Sequence, residues 1–288
     1  MHLRLVCVIG GLLLAFECHC AEVETIRFLS ANGKDTLALD IYRPDSDSEF
    51  NGWGLFFLHG GGFSGGARND AHSRAFAEAL AREGLTVVSV DYRLRQIGRG
   101  FHCDVPVADK REAISWAAED LRAAIQTMES HFPHGVIVSG SSAGAEAALY
   151  GTYHQCIEGV KAVISISGAM EPVDSFVPIP LLSFHGTCDQ LVPFCEAIHH
   201  QCPQDSEGAM TLWGGGAIAV KHDQVELIAF PNAGHELANS LLLERLCIET
   251  TIKFVQSIID HHFTPSHQEI PLYTPCALNP PPAFPCEF

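Results

Sequence analysis

Val136-Ile137-Val138-Ser139-Gly140-Ser141-Ser142-Ala143-Gly144-Ala145 is a short apolar run, then Gly-x-Ser-x-Gly, then the start of an alanine-rich pattern of helical spacing. It reads as a strand, a tight turn and a helix. A serine on so sharp a turn has strained backbone angles, and bulk at Gly140 or Gly144 would clash. Such a turn raises the Ser142 hydroxyl above the carboxyl end of a sheet and aims the Ala143 amide into the same space, beside the positive end of the new helix. The motif by itself also fits an ordinary β–α turn. Its meaning therefore depends on the chain on either side.

Towards the N-terminus, residues 53–58 are almost continuously apolar, as a strand covered on both faces requires, and they run into His59-Gly60-Gly61-Gly62-Phe63. Three glycines let backbone amides approach a ligand without side-chain obstruction. Residues 86–90 form the next buried strand and end in Asp91-Tyr92-Arg93-Leu94, a charged pair best read as structural salt-bridging that holds a loop. Further out, 24–30 and 36–42 alternate apolar and polar residues around Asn32-Gly33, as outer strands of a hairpin do. Helical spacing covers 71–83, closing at Gly84, and 108–128, where Ile114, Ala117, Leu121, Ile125 and Met128 share one face. The irregular stretch 95–104 between them is expected to form one wall of a site.

Towards the C-terminus, strands are predicted at 162–166, at 181–184 leading into His185-Gly186-Thr187-Cys188-Asp189, and finally at 225–230 leading into Pro231-Asn232-Ala233-Gly234-His235. Leu241, Ile248, Ile252, Val255 and Ile259 line a closing helix. Strands alternating with helices imply a single α/β domain with a mostly parallel, doubly wound sheet. Ligands in such a domain sit outside the carboxyl ends of the strands. Three of those ends deliver Ser142, Asp189 and His235. His235 can take the proton from the Ser142 hydroxyl, while Asp189 sets the imidazole tautomer and stabilises its cation. The order Ser, Asp, His is that of the α/β-hydrolases. Rivals are weaker: Ser141 lacks glycine on both sides, and Asp174, Asp205 and Asp223 are not at strand ends. His199, His200, His261 and His262 fall on predicted helices as solvated faces, and His185 is expected to orient the Asp189 loop.

The chain has 288 residues, 47% of them hydrophobic, with a formal net charge of −17. That charge argues against nucleic acid or an anionic membrane surface as partner. The cationic start Met1-His2-Leu3-Arg4 and the apolar run from Leu5 to Phe16 read as a secretory signal (residues 1–20) cleaved after Cys20, which leaves no membrane span and places the protein outside the cytoplasm, secreted or periplasmic. Of the 11 cysteines, Cys103, Cys156, Cys188, Cys195, Cys202, Cys247, Cys276 and Cys286 then remain, an even number that suggests disulfides. No Cys-x-x-Cys or His-x-x-x-His spacing frames a metal site, and no cofactor is implied. The catalytic domain is assigned to 21–265. Residues 266–288, proline-rich and without periodicity, are expected to lie on the surface as a strap, with a local Cys276–Cys286 bridge. If Cys195 and Cys202 share a helix after Asp189, they are too far apart to bond.

Taken together, His59 to Phe63, Asp91 to Leu94, Gly140 to Gly144, His185 to Asp189 and Gly234-His235 resemble the α/β-hydrolase superfamily, in particular its carboxylesterase and hormone-sensitive-lipase-like branches. The resemblance runs over about residues 24–260. It implies an oxyanion hole of the Gly61, Gly62 and Ala143 amides, with His59 supporting the glycine loop, and it implies Ser142 as nucleophile, Asp189 as acid and His235 as base. Carboxylesterase-like members carry an acidic residue where this chain has Ser141, and their large cap regions are missing here. An open face makes the chain similar to acetyl-xylan and feruloyl esterases as well. The expected function is hydrolysis of short-chain carboxylic esters, of small molecules or of carbohydrates, through an acyl-enzyme. The alternatives are a prolyl-oligopeptidase-type serine peptidase, for which no acidic pocket for a substrate amine is identifiable, and a non-catalytic binding protein on the same fold.

Overall fold

A computed structural model describes residues 5–9, 12–16, 23–45, 50–271 and 286. Strands β1 (Leu5–Ile9) and β2 (Leu12–Phe16) pair antiparallel with one another in a sheet of their own among the described residues. The main sheet begins at β3 (Val23–Leu29) and β4 (Thr36–Tyr42), the expected antiparallel hairpin at one edge. Inside it lie β5 (Trp53–Leu58), β6 (Thr86–Val90), β7 (Gly135–Ser141) and β8 (Val160–Ile166). A two-residue strand, β9 (Ala169–Met170), precedes β10 (Leu181–Gly186). Then come β11 (Glu196–Ile198), β12 (Thr211–Gly214), β13 (Val225–Phe230) and β14 (Ser266–Glu269). The nine-stranded order is β14-β13-β10-β8-β7-β5-β6-β4-β3, parallel from β14 to β6; β11, β12 and β9 form a small antiparallel sheet apart.

The inner strands are apolar throughout because each has two buried faces. In β5, Phe56 and Leu58 enter one core while Leu55 and Phe57 enter the other; in β7, Val136 and Val138 are divided from Ile137 in the same way. Helices α2 (Val107–Met128) and α3 (Ala143–Tyr153) cover the first face through Ala113, Ala117, Leu121, Ala147 and Ala148. On the second face, α1 (Ala71–Arg82) contributes Phe76 and Leu80. Asp70 caps that helix, accepting from the His72 and Ser73 amides at 3.0 and 2.9 Å. The remaining helices are α4 (Gly215–Lys221), α5 (Leu237–Ser240) and α6 (Arg245–Ile259), the last burying Ile248, Phe254 and Val255.

Four expectations are corrected. Leu241 belongs to a separate turn ahead of α6, since Glu244 is extended between them. The sheet does not end at β13: part of the presumed tail adds β14 in parallel, from Glu226↔Ser266 to Ala229↔Glu269, using edge hydrogen bonds that carry no side-chain periodicity. Cys195 and Cys202 do not share a helix: β11 between them pairs with β12, and His199–Gln201 form only a single 3-10 turn in which His200 and Gln201 take positive φ. Cys195 bonds Cys286, which overturns the Cys276–Cys286 bridge, and Cys103 bonds Cys202. Cys188 is also disulfide-bonded, while Cys156 and Cys247 are free thiols. Cys276 and the expected cleavage point after Cys20 lie outside the described residues.

Asp91 and Arg93 are structural, but not as a pair. Asp91 accepts from Arg68 at 2.6 Å, and the buried Arg93 meets Asp120 of α2 at 2.8 Å.

Candidate active site

β7 stops at Ser141, and α3 starts at Ala143. Ser142 between them has φ 51° and ψ −123°, a conformation that a residue with a side chain enters at a cost. The flanking glycines serve a different need, which is space. A Cβ on Gly140 would lie 2.2 Å from the Gly144 carbonyl carbon, and one on Gly144 would lie 2.1 Å from Leu58 O. The elbow thus requires its helix to press onto β5 and β7 with no atom between. Ser141, buried, donates its hydroxyl to Ala238 O and so ties the elbow to the segment after His235.

The three strand-end residues converge. Ser142 Oγ is 2.8 Å from His235 Nε2, and His235 Nδ1 is 2.7 Å from Asp189 Oδ2. Asp189 is fully buried at its side chain, and its other oxygen, Oδ1, accepts the Leu191 and Val192 amides, each at 2.9 Å. His185 also faces it, with Nε2 3.6 Å from Asp189 Oδ2 and 3.2 Å from Val192 O. Because His185 Nδ1 accepts from the Gly215 amide at 3.1 Å, the ring proton is on Nε2 and points to the Asp189 loop, as its expected orienting role requires. Burial works to raise the Asp189 carboxyl, but hydrogen bonds from His185 and His235 outweigh it and hold the group well below the usual carboxylate range. For His235, burial disfavours the cation; the Asp189 contact reverses this and raises its basicity, with Glu146 and Glu236 adding to the effect. The imidazole is therefore a stronger base than an ordinary histidine, positioned on a hydroxyl.

The glycine loop comes from the end of β5. Gly61 (φ 118°) and Gly62 (φ 59°) line the same cavity as Ser142, Ala143 and His235. The loop is held through the Gly61 carbonyl, which accepts from the Ser64 and Gly65 amides at 3.1 Å. The Ala143 N–H is a first-turn donor of α3 with no intrahelical partner. His59 is buried, its Nδ1–H donates to Gly60 O at 2.7 Å, and its ring stacks on Tyr92 at 4.4 Å. Burial lowers the basicity of that ring. Tyr92 in turn donates to His59 O at 2.8 Å, so the second strand end in the sheet braces the first.

The cavity above Ser142 holds about 280 Å³. Its other walls were not expected from the sequence, apart from Phe101 in the irregular 95–104 stretch. Glu146 and His199 are 2% exposed and stand with His200 beside the serine; neither histidine is on a solvated helix. His200 is pushed down to about 3, first by burial and then by the charges of His199 and Lys110. A signal existed for Glu146: a lone carboxyl in an alanine-rich helix, four residues after Ser142, has to share the face of the nucleophile. For His199 and His200 there was none, since the Cys103–Cys202 bond and the β11–β12 pairing bring them in. His261 and His262, by contrast, sit exposed past the end of α6. Among the described residues no cluster of His, Cys, Asp or Glu could hold a metal ion, and no helix is long and apolar enough to cross a membrane.

Sheet order, elbow and strand-end residues define the α/β-hydrolase fold. A family model described as alpha/beta hydrolase fold matches residues 55–176, which contain the glycine loop and the elbow. Gut esterase 1 of Caenorhabditis elegans is 30% identical over 125 residues, 41% of this chain and 21% of that protein, so the match spans about a fifth of the relative's length. A lidless α/β serine hydrolase of Xanthomonas campestris superposes with TM-score 0.54 at 18% identity, covering 86% of this chain and 98% of its own. Esterase 2 of Thermogutta terrifontis, solved with propionate bound, gives 0.56 at 21%, covering 85% and 96%. At such identities the two structures establish the fold.

Proposed function

We propose that the protein is a secreted serine hydrolase that cleaves short-chain carboxylic esters. The observation that carries the reading is the unbroken chain Ser142 Oγ, His235, Asp189 opening onto a small cavity bordered by the glycine loop. In this mechanism Ser142 Oγ attacks the ester carbonyl carbon as its proton passes to His235 Nε2. The carbonyl oxygen becomes an oxyanion that accepts from the Gly61, Gly62 and Ala143 amides. His235 then gives the proton to the departing alcohol, leaving Ser142 acylated. Water repeats the sequence in reverse, with His235 as base, and releases the acid. Asp189 keeps the Nδ1–H of His235 directed away from the serine throughout.

A cavity of about 280 Å³ is at the small end for ligand sites, which supports short acyl groups. The likeness to a lidless hydrolase and to an esterase solved with propionate supports the same choice, and leaves a bulky alcohol such as a sugar free to project outward. The cationic, apolar N-terminal segment and the disulfides support secretion. The test is a p-nitrophenyl series from acetate to palmitate beside a peptide anilide and a fluorophosphonate. Labelling of Ser142 and a fall in kcat/KM with acyl length are expected. Hydrolysis of the anilide alone, or of emulsified long-chain esters faster than acetate, overturns the reading.

A further inference from the structure

Within that cavity, Glu146 Oε1 and both ring nitrogens of His199 are buried without a hydrogen-bond partner in the protein. The two side chains approach at 3.2 Å, His199 Nε2 to Glu146 Oε1, but off the line of a hydrogen bond. Leaving such groups unpaired in a protein interior costs free energy, so a wall built of them is complementary to something that supplies the missing partners. Glu146 is placed rigidly: its amide donates to Ser142 O at 3.0 Å, which fixes it one helical turn from the nucleophile. His199 is placed by its own amide, which donates to Met210 O at 2.8 Å, and its ring stands edge-on to Phe101 at 5.3 Å.

The surroundings decide the ligand's charge. Lys110 is fully buried, donates to Gly208 O at 2.8 Å and lies 5.4 Å from the centre of the Phe101 ring. Its charge and that of Glu146 act on each other. A cationic substrate group would be opposed by the charge of Lys110, which reaches Glu146 and His200 from behind the wall, and an anionic one by Glu146 itself. A neutral hydroxyl fits both partners, donating its proton to Glu146 Oε1 and accepting from a His199 ring N–H.

We propose that Glu146 and His199 form a subsite for a free hydroxyl on the substrate, one helical turn from Ser142, and that the enzyme selects esters carrying such a hydroxyl near the scissile bond. This rests on the esterase reading above. The subsite rejects an ester without the hydroxyl because its buried polar groups are then left unpaired.

The test uses two matched pairs of soluble esters, followed by pH-stat and corrected for their hydroxide-catalysed rates. Glycerol monoacetate against propyl acetate places hydroxyls on the alcohol side; ethyl 3-hydroxybutyrate against ethyl butyrate places one on the acyl side. In one pair the hydroxylated ester should lead by about 10-fold or more in kcat/KM. In Glu146→Leu that ratio should fall to within about threefold of one, and His199→Phe provides the same measurement if the first variant does not fold. Ratios near one in both pairs for the unmodified enzyme, ratios unchanged in both variants, or acetylcholine cleaved faster than glycerol monoacetate would each overturn the subsite. The failure of the esterase reading looks different: no ester of either pair is cleaved and the fluorophosphonate does not label Ser142.

Discussion

Replacing Ser142 by alanine and by glycine should abolish activity equally yet separate the two proteins in stability. Both variants lose the nucleophile and the 2.8 Å contact with His235, so these losses cancel in the comparison. What differs is the backbone at φ 51°, ψ −123°. Alanine keeps a Cβ in that conformation and retains the strain, about 1–3 kcal/mol for a residue in so sparsely populated a region. Glycine relieves it, but gives the unfolded chain more freedom, a cost of about 0.5–1 kcal/mol. The glycine variant should therefore be the more stable by up to about 2.5 kcal/mol, the difference of those two ranges. For a domain of this size each kcal/mol shifts Tm by about 2–4 °C, so the difference reads as up to about 10 °C in a thermal melt. Turnover should drop at least ~10³-fold in both. If the glycine variant melts below the alanine variant, Ser142 is not strained and the elbow argument fails.

Three further outcomes follow from the same geometry. Asp189→Asn should lower kcat by about 10⁴-fold; because Asp189 is what raises His235 against burial, the acid limb of the pH–rate profile, which tracks loss of the neutral base, should move to lower pH. An unmoved limb would refute the coupling. Cys202→Ser opens a bridge spanning 99 residues and should cost about 2–4 kcal/mol in a denaturant titration, with a raised KM because Phe101 and His199 on its two sides border the cavity. Gly61→Ala should destabilise more than Gly62→Ala, since the new Cβ would meet Gly65 O at 2.3 Å at the first position but no atom nearer than 3.8 Å at the second. Circular-dichroism melts rank the pair.

The parts of this protein readable from its sequence are those whose cause is local. Strands β5 to β8, β10 and β13 announce themselves as apolar runs because both faces are buried, and α2 does so because one face is. The elbow and the glycine loop are legible for a related reason: Gly140, Gly144 and Gly61 stand where backbone must touch backbone or take a positive φ, and few other residues permit that. Ser142, Asp189 and His235 follow once the strand ends are known, because a parallel sheet puts all its carboxyl ends on one side. Other features have causes that act across the chain. β14 joins the sheet edge through backbone bonds that any sequence can make. Cys195 and Cys202 are kept from sharing a helix by the pairing of β11 with β12 and by bonds from Cys195 to Cys286 and from Cys202 to Cys103. Those long-range ties carry His199 onto Glu146 beside the nucleophile. The chemistry at Ser142 is thus written in local spacing, while the wall proposed to choose the substrate exists only once segments about a hundred residues apart have been brought together.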